Sequence, residues 1–143
     1  MKYMTNFDTG HGEAVTVISE CKLLLSKITV TVLSTEIVCD DVLAGVPYRL
    51  TEAENIELFD ASLLPRIRVS EPYTSVSAAI VYGKVRNGYR FISDCKSSPT
   101  AYAAVATVLF YNGIITRGES VTLLSDAGVF SAAVTDDGVL LFV

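Results

Sequence analysis

Asp94-Cys95-Lys96-Ser97-Ser98-Pro99-Thr100-Ala101-Tyr102-Ala103-Ala104-Val105-Ala106-Thr107-Val108-Leu109-Phe110-Tyr111-Asn112-Gly113 is the stretch whose reading decides the fold. Both ends of a helix are marked in it. Ser98 suits the N-cap, where its hydroxyl accepts from the free amides of the first turn. Pro99 suits the first helical position, where a missing N–H costs nothing. Gly113 can close the last turn in the left-handed conformation. Between these marks Ala101, Ala103, Ala104, Val105, Ala106, Val108, Leu109 and Phe110 cover every side, and only Thr100 and Thr107 interrupt. A helix without a polar face is a buried helix. At about 1.5 Å per residue it spans roughly 20 Å, too short for a bilayer. The reading is a central buried helix over about 99–112, wrapped by sheet.

Strands flank it on both sides. Val76 to Val85 and Tyr89 to Ile92 bracket Asn87-Gly88, a strong hairpin signal. Downstream, Ser120 to Leu124 and Val129 to Thr135 bracket Asp126-Ala127-Gly128, and Val139 to Val143 follows Asp137-Gly138. Upstream, Lys27 to Ser34 alternates, with Ile28, Val30 and Val32 on one face. Ala14 to Ile18 reads as a shorter strand. Glu36 to Leu43 fits either a strand or a short helix. Thr51-Glu52-Ala53-Glu54 matches a capping box and opens a second, amphipathic helix over about 52–63. Ile56, Phe59 and Leu63 form its apolar stripe, and Pro65 ends it. The class is α+β: a curled, mostly antiparallel sheet around one buried helix, with the second helix outside. No repeat or linker divides the chain, so residues 1–143 read as a single domain.

Composition narrows the function. Half of the 143 residues are hydrophobic, 19% are charged, and the net charge is -5. Lys and Arg are scattered, which argues against a nucleic-acid surface or a basic membrane-binding patch. Cys21, Cys39 and Cys95 are odd in number and irregularly spaced, so neither a disulfide framework nor a CxxC metal pair is expected. The expected setting is reducing and cytoplasmic. No metal or cofactor motif is present.

The reactive side chains gather at the start of the buried helix. Its dipole and free N–H groups favour an anion there. Lys96, Ser97, Ser98 and Thr100 add a charge and donors, and Cys95 beside a helix N-terminus and a lysine is a candidate thiolate. A second candidate is the turn Gly10-His11-Gly12, whose backbone can approach a ligand closely and whose histidine is the sole one in the chain. A Ser-His-Asp set can be written from Ser98, His11 and Asp94, but no G-x-S-x-G elbow accompanies it.

These residues resemble a family. Asp8-Thr9-Gly10-His11-Gly12-Glu13, running into Val15-Thr16-Val17-Ile18, resembles the opening of proline racemases, where an acidic-Thr-Gly-Gly-Glu-type turn precedes the first strand. Asn87-Gly88-Tyr89, Ala104-Val105-Ala106-Thr107-Val108-Leu109 and Asn112-Gly113-Ile114 resemble the segment around that family's first catalytic cysteine. There an N-G-G-Y strand leads through C-G-H-G-T into a G-V-A-T-A-L helix. Ser120 to Val134 resembles the strand pair that follows. The resemblance takes in both ends of the chain and leaves out Leu33 to Ser75. The wider superfamily includes diaminopimelate epimerase, the phenazine-biosynthesis isomerases, and hydroxyproline epimerases and dehydratases. It implies a curled sheet wrapped around a central helix, twice per chain, with a catalytic thiol or its replacement at each helix N-terminus. The present chain resembles one half, the N-terminal one.

The departures matter as much as the likeness. An ungapped alignment of the A-V-A-T-V-L run puts Ser98 where the family has cysteine, and Pro99-Thr100 where it has Gly-His. Cys95 reaches that position only after a three-residue shift. Two expectations follow. One is a non-catalytic binder of a small carboxylate or phosphate-bearing ligand, held by Gly10, His11, Gly12, Lys96, Ser97 and Thr100, in a homo-oligomer. The other is a cofactor-independent isomerase, epimerase or lyase acting as a homodimer, with Cys95 or Ser98 as its acid or base.

Overall fold

The computed structural model describes residues 2–9, 14–18, 21–32, 40–47, 77–95 and 98–142. The second helix expected over 52–63 lies outside them. Among the described residues there are nine strands: β1 (Lys2–Thr9), β2 (Ala14–Ile18), β3 (Cys21–Val32), β4 (Asp40–Pro47), β5 (Ser77–Val85), β6 (Gly88–Ser93), β7 (Val121–Ser125), β8 (Gly128–Thr135) and β9 (Gly138–Phe142). One helix, α1 (Ser98–Tyr111), separates β6 from β7. The ambiguous Glu36–Leu43 segment thus resolves, where it is described, as the start of a strand.

The pairings run from β3 through β4, β5, β6, β7, β8 and β9 to β1, and β1 returns to pair with β3. Thr5 meets Val139 on one side and Val32 on the other, which joins the two ends of the sheet. Strand β2 lies outside this ring of eight, paired with Cys21–Leu25 of β3. Most pairings are antiparallel, as expected, but β4–β5 and β6–β7 are parallel. The second follows from the helix. A parallel return needs a crossover of a dozen or more residues, and α1 with its flanking turns supplies one.

The crossover helix sits inside the ring, packed against β1, β3, β4, β5, β7, β8 and β9. Ala101, Tyr102, Ala103, Ala104, Val105, Ala106, Val108 and Leu109 are all buried. Four alanines keep the cylinder thin enough for strands to approach from every direction; a helix with larger side chains measures about 10–12 Å across. Inward residues of the sheet complete this core, among them Ile28, Val30, Val42, Val46, Phe91, Leu123, Val134 and Leu141. Alternation along β3–β5 places Leu23, Leu25, Leu43 and Ile80 on the opposite, outward face, yet these are also buried. That part of the sheet is therefore apolar on both faces.

Glycines fix two details. The helix ends in a Schellman motif: Gly113 (φ 73°) donates to Phe110 O at 3.0 Å, and Ile114 donates to Leu109 O at 2.9 Å. At the β5–β6 hairpin the turn is Arg86-Asn87, one residue earlier than expected, and Asn87 takes the positive φ of 66°. Gly88 is instead the first residue of β6, opposite Thr122 of β7. A Cβ there would collide with the Thr122 carbonyl group, its carbon only 2.8 Å away and its oxygen nearer still. Close approach of β7, rather than turn conformation, is what requires glycine at this position.

Candidate functional site

Helix α1 begins at the rim of the ring where β6 ends (Ser93), β7 ends (Ser125) and β8 begins (Gly128). Asp94 and Cys95 make the corner. Ala78 N–H donates to Asp94 Oδ1 at 2.7 Å, and Asp94 N–H donates back to Ala78 O at 3.1 Å. The Ser93 hydroxyl also donates to Ala78 O, at 3.0 Å, and accepts from Cys95 N–H at 3.0 Å. The Asp94 carboxylate thus extends the β5–β6 ladder past its last pair.

Beside this corner is a cavity of about 160 Å³. Ser93 and Cys95 form one wall, Ala101 and Tyr102 of the first helical turns form the floor, and Ser125 and Asp126 of the β7–β8 turn close the other side. Tyr102 is fully buried and is the anchor of the arrangement. Its ring lies edge-on to Phe91 (centroids 4.8 Å apart) and tilted against Phe130 (4.6 Å). Its hydroxyl donates to the Gly128 carbonyl. That uses its single proton, so the Ser125 hydroxyl, 2.9 Å away, donates to the phenolic oxygen. Ser125 Oγ in turn accepts from Ala127 N–H at 3.2 Å. Burial raises the Tyr102 pKa above its ordinary value, outweighing the Ser125 contact that lowers it. The phenol is therefore neutral at physiological pH and pins the β7–β8 turn to the helix.

The first turn of α1 contains no acidic residue, so no carboxylate of its own offsets the positive end of the dipole. Thr100 is 1% exposed, and its Oγ1 has no hydrogen-bond partner among the described residues. A buried unpaired hydroxyl costs roughly 1–3 kcal/mol.

Of the residues singled out from sequence, Cys95 lines the cavity and is half-buried against the core. Ser98 is the first residue of α1, one position before the expected helix start. Thr100 lies two residues further on and is not a cavity wall. Gly10, His11, Gly12, Lys96 and Ser97 lie outside the described residues. The strand leading to Gly10 ends at Thr9. Since Lys2 of β1 pairs with Phe142 of β9, Thr9 leaves the ring at the rim opposite the one where α1 begins. Sequence reasoning missed Ser93, Tyr102, Ser125 and Asp126. Tyr102 carried a usable signal, being a phenol within an otherwise apolar helix, since a buried Tyr O–H finds a partner.

Comparison with protein-family models finds no match to this chain, and comparison with curated proteins finds none either. Three or more clustered metal-ligand side chains are absent among the described residues. No helix among them is long and apolar enough to cross a membrane.

Proposed function

We propose that the protein is a small-molecule binder that takes an anionic ligand, a carboxylate or a phosphate-bearing molecule, at the N-terminus of its buried helix. The observation that carries this reading is the cavity at that terminus, with Ser93, Cys95 and Ser125 on its walls and no acidic residue in the first helical turn, Asp126 of the β7–β8 turn being the one carboxylate on its lining. At about 160 Å³ the cavity is on the scale of the roughly 150 Å³ cavities that take a small organic molecule. In this reading the chain is a non-catalytic relative of the racemase and epimerase half-domains it resembles, works in the cytoplasm, and assembles as a homo-oligomer.

The position of Cys95 favours a second reading, an isomerase, epimerase or lyase that uses this thiol as acid or base in a dimer. Cys95 lines the same small volume that would receive the ligand.

Calorimetric titration with amino acids, hydroxyprolines, small carboxylates and inorganic phosphate tests the first reading. Binding is expected in the millimolar range or tighter for at least one anion, and weakened in Ser125→Ala. The absence of heat for every anion at protein concentrations near a millimolar would reject it. The same samples in D₂O separate the two readings: a binder leaves the ligand α-proton in place, whereas the enzyme exchanges it and Cys95→Ala does not.

A further inference from the structure

On the outward wall of the ring, next to the cavity but facing away from the helix, is a groove of about 190 Å³ lined by Tyr82, Arg90, Leu124, Ser125 and Asp126. Its four strand residues come from β5 (Tyr82), β6 (Arg90) and β7 (Leu124 and Ser125). Arg90 lies directly opposite Leu124 in the parallel β6–β7 pairing. Tyr82 is there because β5 carries an irregularity. Val81 pairs with Phe91 and Gly83 pairs with Arg90, so Tyr82 is an extra residue between them. Such a bulge redirects a side chain, and here it brings the Tyr82 phenol alongside Arg90.

Among the described residues Lys27 pairs with Asp41 and Arg117 pairs with Asp136, while Lys84, Arg86 and Arg90 have no ion pair. Lys84 and Arg86 are exposed, so Arg90 is the partly buried one of the three. Its guanidinium makes no ion pair and donates no hydrogen bond among the described residues. Asp126, across the groove, is not in ion-pair contact with it. The chain has 16 acidic residues and could have neutralised this position. Instead it places a planar five-donor cation beside a phenol and a leucine.

We propose that this groove is a second binding site, for a carboxylate attached to an apolar body. Arg90 takes the carboxylate through two parallel N–H donors. Leu124 and the Tyr82 ring take the apolar part, and Asp126 at the edge repels a second negative charge. The site shares the Ser125-Asp126 corner with the helix cavity but none of its helix residues, so it stands or falls apart from the function proposed above.

The test is an amide-resolved NMR titration of the full chain with benzoate, with inorganic phosphate as the comparator. Benzoate is expected to shift the amides of Tyr82, Arg90 and Leu124. Arg90→Gln should weaken it by about tenfold or more, since hydrogen bonds to charged groups contribute that much. Arg90→Lys should give an intermediate value, because a point charge cannot fork. Asp126→Asn should tighten binding. Retained spectral dispersion in each variant checks that the fold is intact. The proposal is overturned if benzoate shifts only Cys95 and Ala101, if Arg90→Gln binds it as well as the unsubstituted chain, or if phosphate binds as tightly as benzoate.

Discussion

Gly88 shows how much a single position can carry. The dipeptide Asn87-Gly88 announces a hairpin, but the conformational demand falls on Asn87, and the demand on Gly88 is spatial. Gly88→Ala forces the β7 backbone at Thr122 to move and is expected to cost about 1–3 kcal/mol, the usual range for overpacking a filled interior. Gly118 is the control. It has φ 80° with nothing within 4 Å of the place a Cβ would occupy, so Gly118→Ala carries only the left-handed penalty of about 1–2 kcal/mol and leaves neighbouring strands in place. Urea unfolding gives both costs, and chemical shifts at Thr122 distinguish them: they should move in Gly88→Ala alone. A Gly88→Ala variant as stable as the parent, with Thr122 unshifted, would show that β7 does not press against Gly88.

Among the elements, α1 was the most legible and β1 the least. The helix declared itself because its apolar residues fall on every side and both termini carry chemistry suited to them. The structure adds the Schellman bonds at Gly113 and Ile114, and the back-bond from Thr107 Oγ1 to Ala103 O at 2.7 Å, which hides a hydroxyl in an apolar core. Strand β1, K-Y-M-T-N-F-D-T, mixes apolar and polar residues on both of its alternating faces, so periodicity could not reveal it. Its pairings do, since it joins β9 to β3. Enclosure on all sides predicts the exchange behaviour of α1. Amides from Tyr102 to Leu109 should exchange with solvent only through global unfolding, with protection that follows the unfolding free energy as urea is added. Protection lower than that of β6–β8 would mean that the ring opens to release the helix while the sheet stays folded.

At the scale of the molecule, closure depends on contacts between the ends of the chain: Lys2–Thr5 with Val139–Phe142. Two buried tyrosines then make stability sensitive to alkali. Burial raises the pKa of Tyr102, and burial followed by the nearby Glu119 charge raises that of Tyr89. The unfolded phenols ionise near pH 10, while the folded ones hold their protons to higher pH. Above about pH 10 the native state therefore binds more protons than the unfolded state, and stability falls as pH rises. Their contribution is complete below that value and is lost through the folded pKa. Urea midpoints between pH 8 and pH 11.5 should decline at the alkaline end, less steeply in Tyr102→Phe. A decline unchanged by Tyr102→Phe and by Tyr89→Phe would assign it to other groups.

The amino-acid sequence by itself determined the buried helix, seven of the strands and the α+β class, because each rests on a local rule: capping chemistry, two-residue alternation, or apolar residues on all sides. It also pointed to the start of α1 as the place where reactive side chains collect. Only the tertiary structure decided the closure of the sheet through β1, the parallel joints on either side of the β5–β6 hairpin, and the cavity partners Ser93, Tyr102, Ser125 and Asp126. The reason is separation along the chain. Tyr102 and Ser125 lie 23 residues apart, and Lys2 meets Phe142 across nearly its whole length. No periodicity in a window of a dozen residues encodes such a meeting; it exists only once a helix with no polar face has been enclosed by sheet on every side.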